Sequence, residues 1–141
     1  MISNAKFWLI LPLLTCVAIS PVVPVQSARA DGSTFQTAQG GKRGILSFRS
    51  GPLQTMTPAP FTLELLDASG TTVADAEVSC EMTMPAMPMP ENRPRVVLVG
   101  NHYQGEAIFT MAGAWRMTCR IAPSSGPKTA LTFDIPEVRL K

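Results

Sequence analysis

Histidine, cysteine and clustered charge are all scarce in this chain, and each shortage closes off a class of function. One histidine, His102, and three cysteines stand among 141 residues. Nucleophilic catalysis needs a nucleophile beside a base, and no such motif is present. A Gly-rich phosphate loop opening a helix is also missing. The carboxylates are scattered along faces that read as solvated, and nothing nominates a catalytic pair. The sequence therefore reads as a non-enzyme. Beyond residue 30, ten Lys and Arg balance ten Asp and Glu, a formal charge of zero. Nucleic-acid binding needs clustered cations, so no nucleic-acid partner is expected. The longest apolar run is too short and too interrupted by proline for a comfortable membrane span.

That run sits at the N-terminus and sets the expected compartment. Lys6 supplies a positive start, Phe7 to Ile19 is apolar but for Pro12, Thr15 and Cys16, and Pro21 and Pro24 follow. Ala28-Arg29-Ala30 is a small-x-small cleavage site. The three parts make a secretory signal peptide over 1–30, cleaved after Ala30. A retained anchor is the alternative. Cys16 does not read as a lipid-attachment residue, because Thr15 is a poor predecessor and apolar sequence continues past it. The product would be periplasmic or secreted, and not embedded in a membrane. Residues 31–42 are polar and Gly-containing and read as a flexible leader, leaving 43–141 for one domain.

Two cysteines remain in the exported part, Cys80 and Cys119. An even count in an oxidising compartment favours a disulfide, which suits a domain with a modest core. Two free thiols would instead make this pair candidate soft-metal ligands.

From Gly44 onward, short β-type runs alternate with turn signals. Phe61, Leu63 and Leu65 share one face, and Val73 to Met82 reads as the next strand, with Ala76, Val78, Cys80 and Met82 on one face. Ala107, Phe109 and Met111 form another inward set, followed by Trp115, Met117, Cys119 and Ile121, then Leu131, Phe133 and Ile135. Ile45–Arg49 and Val96–Val99 complete the strand candidates, and Gly100 to Gly105 reads as a turn. About seven short strands, frequent turns and no amphipathic helix point to an all-β antiparallel sandwich. Both cysteines fall on inward faces, so they can meet across a core.

Against these shortages stands an excess of methionine and proline. Met82, Met84, Met87 and Met89 fall within eight consecutive positions, with Pro85, Pro88 and Pro90 between and after them. Thioether sulfur is a soft, neutral ligand suited to Cu(I), needs no deprotonation and is not consumed by disulfide formation. Proline at this density forbids a helix and a central strand, and favours an extended, polyproline-like stretch with Met84 and Met87 on one side. The plainer reading is core packing, which is the default for Met82, Met111 and Met117 on their apolar faces. His102 sits among turn residues, where a lone imidazole is usually solvated.

Several of these residues together resemble the YtkA-like domain, which is related to FixH-type proteins. The resemblance runs through Phe61-Thr62-Leu63-Glu64-Leu65-Leu66-Asp67, Ala76-Glu77-Val78 and Met82-x-Met84-Pro85-Ala86-Met87-x-Met89. It continues through Gly100-x-His102-Tyr103-x-Gly105-x-Ala107-x-Phe109-x-Met111-x-Gly113-x-Trp115, and covers about 44–122. It implies an immunoglobulin-like or cupredoxin-like sandwich outside the cytoplasm, in a family with links to copper handling and oxidase assembly. Two features depart from the pattern: the N-terminus reads as cleavable where FixH-type proteins keep an anchor, and the Cys80/Cys119 pair is additional. The combined expectation is a Cu(I)-binding or copper-delivery protein. Met82, Met84, Met87 and Met89 would be its ligands, with Met111 or His102 as extras, and its partner a copper-receiving or membrane-bound protein. The competing expectation is a protein-interaction module whose Met/Pro segment docks a partner without metal.

Overall fold

The computed structural model describes residues 32–141; the expected signal peptide and its cleavage site lie outside them. Eight strands form two antiparallel sheets. They are β1 (Thr34–Gln39), β2 (Lys42–Phe48), β3 (Ala59–Leu66), β4 (Glu77–Thr83), β5 (Val96–Val99), β6 (His102–Ala107), β7 (Gly113–Ala122) and β8 (Thr129–Val138). One sheet runs β1-β2-β3-β6-β5 and the other β4-β7-β8. The fold is the all-β sandwich that the alternating sequence predicts.

Alternation decides which side chains meet between the sheets. Leu46, Phe48, Phe61, Leu63, Leu65 and Tyr103 point inward from the larger sheet. Cys80, Met82, Trp115, Met117, Cys119, Ile121, Leu131, Phe133 and Ile135 answer from the smaller. Phe48, Phe61, Phe109 and Trp115 pack as tilted or edge-to-face neighbours, with centroids 5.4–5.9 Å apart. That is the geometry aromatic quadrupoles favour. Gly44 lets the layers close, since a β-carbon there would stand 2.7 Å from both the Leu131 and Phe133 side chains. On the outer face Arg116 and Asp134 pair across β7 and β8 at 2.8 Å, an exposed bridge of small energetic weight.

Four expectations change. Residues 34–39 are not a flexible leader but strand β1, joined to β2 by the two-residue turn Gly40-Gly41 with φ of 60° and 74°. Two consecutive positive φ values make the tight hairpin whose twist matches its strands. Phe35 then packs edge-on against Phe48, 6.2 Å between centroids. Second, the turn expected over 100–105 shrinks to Gly100-Asn101, and β6 begins at His102. Third, β4 begins at Glu77 rather than near Val73. The chain before it is held by the Tyr103 hydroxyl, which accepts from the Ala76 N–H and donates to the Ala76 carbonyl, each at 3.1 Å. Fourth, the Cys80–Cys119 disulfide forms, but within one sheet: the two residues are register partners on β4 and β7, with Cα atoms 4.1 Å apart. Inward-facing cysteines on adjacent strands reach each other without crossing the core.

Asp67 caps the turn after β3. Its Oδ1 accepts from the Ser69 hydroxyl at 2.6 Å, the Ser69 N–H at 2.9 Å and the Thr71 N–H at 3.0 Å. These bonds, the Ser69 hydroxyl first, hold its carboxyl below the ordinary carboxylate range.

Candidate metal centre

The proline-rich segment leaves β4 as a turn rather than as a polyproline rod. The Met87 N–H donates to the Met84 carbonyl at 3.3 Å, with Pro85 and Ala86 between them. Proline suits the second position of a β-turn, and such a turn brings its end residues to within about 7 Å. Met84 and Met87 are therefore backbone neighbours, though not for the periodic reason the sequence suggested. The chain then doubles back, and the Asn92 carbonyl accepts from the Met82 N–H at 2.7 Å. Asn92 also donates through Nδ2 to the Ile108 carbonyl at 2.9 Å, tying this return to the connector between β6 and β7. A shallow groove there is lined by Met89, Pro90, Glu91, Asn92, Ile108 and Thr110.

The same connector carries Met111, whose carbonyl accepts from the buried Trp115 indole at 2.9 Å. Gly113 opens β7 beside Met84: a β-carbon on it would lie 3.3 Å from the Met84 methyl carbon. Met84, Met87, Met89 and Met111 thus occupy one end of the sandwich. Their exposures differ. Met87 is open to solvent at 46 %, Met89 and Met111 are half-buried against the core, and Met84 is nearly buried at 7 %.

Two of the expected ligands belong elsewhere. Met82 has no exposed surface and pairs in register with Met117 inside the core. Its place on the inward face of β4, in line with Cys80, commits it to packing. His102 lies at the opposite end of the larger sheet, where β6 starts. From there β6 advances six residues, roughly 17 Å at about 3.3 Å per residue, before it reaches the Met111 connector. Its Nε2 lies 2.9 Å from the Gln104 amide nitrogen and its Nδ1 3.2 Å from Asn101 Oδ1. Neutral imidazole carrying its proton on Nδ1 satisfies both contacts. Among the described residues, no three or more His, Cys, Asp or Glu side chains gather in a group that could hold a metal ion.

Sequence reasoning passed over Met56. It sits between β2 and β3, is 65 % exposed, and has φ of 53°. Left-handed backbone at a residue bearing a β-carbon costs about 1–2 kcal/mol. The Met56 N–H donates to the Phe109 carbonyl at 2.8 Å, so this loop also belongs to the methionine end. A one-letter string contains no sign of it, because its position depends on a pairing with a connector more than fifty residues away.

The YtkA-like family model matches residues 50–120, half of the chain. The chain belongs to the YtkA-like family. The match spans the strands that frame the methionine end, from the Met56 loop to most of β7. No curated protein matches the sequence. Among solved structures, this YtkA-like chain is similar to FetP of uropathogenic Escherichia coli strain F11, as isolated after recombinant expression in the periplasm of E. coli. The TM-score is 0.53 at 8 % identity, over 76 % of this chain and 96 % of that one. A copper-bound variant of the same protein gives a TM-score of 0.51 at 7 % identity, covering 75 % and 95 %. At such low identity the likeness establishes a shared sandwich fold.

Proposed function

We propose that this YtkA-like protein is an exported, non-catalytic copper carrier that holds Cu(I) as cargo at its methionine end. The observation that carries the reading is the gathering of Met84, Met87, Met89 and Met111 on one turn, the return that follows it and one connector. With both cysteines of the domain locked in a disulfide, thioethers are the soft donors left to this end. Neutral ligands also suit a monovalent ion, since they bind it without releasing protons. The copper-bound state of FetP, a protein of similar fold, supports the same reading. The N-terminal pattern and the family support a periplasmic setting, where a copper-receiving or membrane-bound protein would take the ion.

The nearly buried Met84 and the half-buried Met111 form the inner part of such a site, and Met87 and Met89 the outer part. A carrier must release its ion, and an exposed turn offers a partner direct access. The test is titration of Cu(I) against a competing chelator. Met87→Leu/Met89→Leu should weaken binding at least about tenfold, the size of losses that follow even from altering groups one step removed from a metal. Leucine keeps the volume and apolarity and removes only sulfur. Unchanged affinity in the variant with all four methionines replaced would end the copper reading.

One observation favours a second reading, docking of a partner protein. Strand β5 is a sheet edge whose Val97, Leu98 and Val99 are each more than 40 % exposed, and the Met/Pro return leads straight into it. A pull-down in which partner capture survives copper chelation and the methionine replacements would support docking over metal carriage.

A further inference from the structure

The loop from Leu53 to Thr57 is tethered more heavily than a surface turn requires. The Thr55 N–H donates to the Arg139 carbonyl at 2.8 Å, and the Arg139 N–H donates to the Leu53 carbonyl at 2.8 Å. The Thr55 hydroxyl, itself buried, accepts from the Lys141 N–H at 3.2 Å, while the Thr57 hydroxyl donates to the Thr55 carbonyl at 3.2 Å. Met56 is then fixed by its own N–H on Phe109. A strained residue persists where its surroundings over-determine it, and here every neighbour of Met56 is pinned.

The tether explains the backbone but not the side chain. Glycine or asparagine would take a left-handed φ with less strain. A methionine that is 65 % exposed also gives little to the core. What the arrangement does achieve is to fix the backbone position from which one exposed thioether side chain extends. That place adjoins the connector carrying Met111, because Phe109, which accepts the Met56 N–H, lies two residues before it.

We infer that Met56 is a further thioether ligand of the methionine end, added from a tethered loop on the β6–β7 connector that carries Met111. The inference rests on the Cu(I) reading above and extends it by one ligand from a third segment of the chain. Such a ligand would join the two sides of the connector: the Met/Pro return lies against Ile108, and the Met56 loop against Phe109. A donor on a stiff loop also loses less entropy on binding than one on a mobile loop.

The experiment titrates Cu(I) against a competing chelator in three proteins: the unaltered chain, Met56→Leu and Met56→Asn. Both variants should bind at least about tenfold more weakly. The copper-free thermal midpoint of Met56→Asn should stand at or above that of the unaltered chain, because asparagine tolerates the left-handed backbone. Weaker binding in a protein that is no less stable assigns the loss to sulfur rather than to unfolding. A methyl resonance of Met56 that shifts on addition of one equivalent of Cu(I) would support the assignment independently. If both variants bind as tightly as the unaltered chain while Met87→Leu/Met89→Leu loses affinity, Met56 is not a ligand and the copper reading stands without it. If the unaltered chain fails to bind Cu(I), both fall together.

Discussion

Tyr103, the one tyrosine of the chain, shows how a single side chain can fix a connection that alternation cannot specify. Its ring is buried on β6, and its hydroxyl meets both backbone groups of Ala76 at the entry to β4. It thereby links the larger sheet to the first strand of the smaller one. Tyr103→Phe keeps the ring and leaves two half-buried backbone groups without their partner, which should cost about 1 kcal/mol in denaturant unfolding. A change within experimental error would mean that water replaces the hydroxyl. At this scale the sequence was informative about direction and silent about depth. Period-2 spacing places Met82 inward with Cys80, and it is fully buried. The same spacing cannot say that Met84, two residues on, stays nearly buried while Met87 emerges. That depends on where β4 ends and how tightly the next turn closes.

Elements carry the larger differences between expectation and structure. A polar, Gly-containing stretch reads as a leader, yet residues 34–39 form an edge strand because Gly40-Gly41 makes a two-residue hairpin and β2 offers a free edge. The proline-rich segment reads as a rod, yet it forms a turn at Pro85 and a return held by Asn92. In both cases the local chemistry was visible, and what decided the outcome was an available hydrogen-bonding partner. The disulfide belongs to this scale, since it staples β4 to β7 at one register position. The residues it joins are 39 apart in sequence. Restricting such a loop in the unfolded chain is worth about 4 kcal/mol in the entropic model. Cys80→Ala/Cys119→Ala should therefore lower unfolding free energy by about 2–4 kcal/mol. It should leave Cu(I) affinity unchanged, because both cysteines are buried and serve the staple. A loss of copper binding in that variant at a temperature where it remains folded would put sulfur from the core into the site.

For the molecule as a whole, the two ends of the sandwich differ in kind. One end gathers the Met56 loop, the Met84–Met87 turn and the Met111 connector; the other holds the Gly100-Asn101 turn and His102. An ion bound only by the folded state stabilises it by mass action, about 2.7 kcal/mol at a hundredfold excess over Kd. For a domain of this size that corresponds to a rise of roughly 10 °C in thermal midpoint. Cu(I) should produce this shift in the unaltered chain and in His102→Ala alike, and at the same concentration no more than about half of it in Met87→Leu/Met89→Leu. A shift lost in His102→Ala would return the imidazole to the ligand set and contradict its place at the far end.

The sequence by itself determined the sandwich, the inward faces of its strands, the pairing of its two core cysteines and the concentration of soft donors after β4. These follow from side-chain period, composition and residue chemistry, all of them local. Only the tertiary structure decided which methionines share an end, that Met82 packs into the core, that His102 stands apart and that Met56 joins the others. Strand order and register set those placements, through hydrogen bonds between residues far apart in the chain, and no local pattern encodes them.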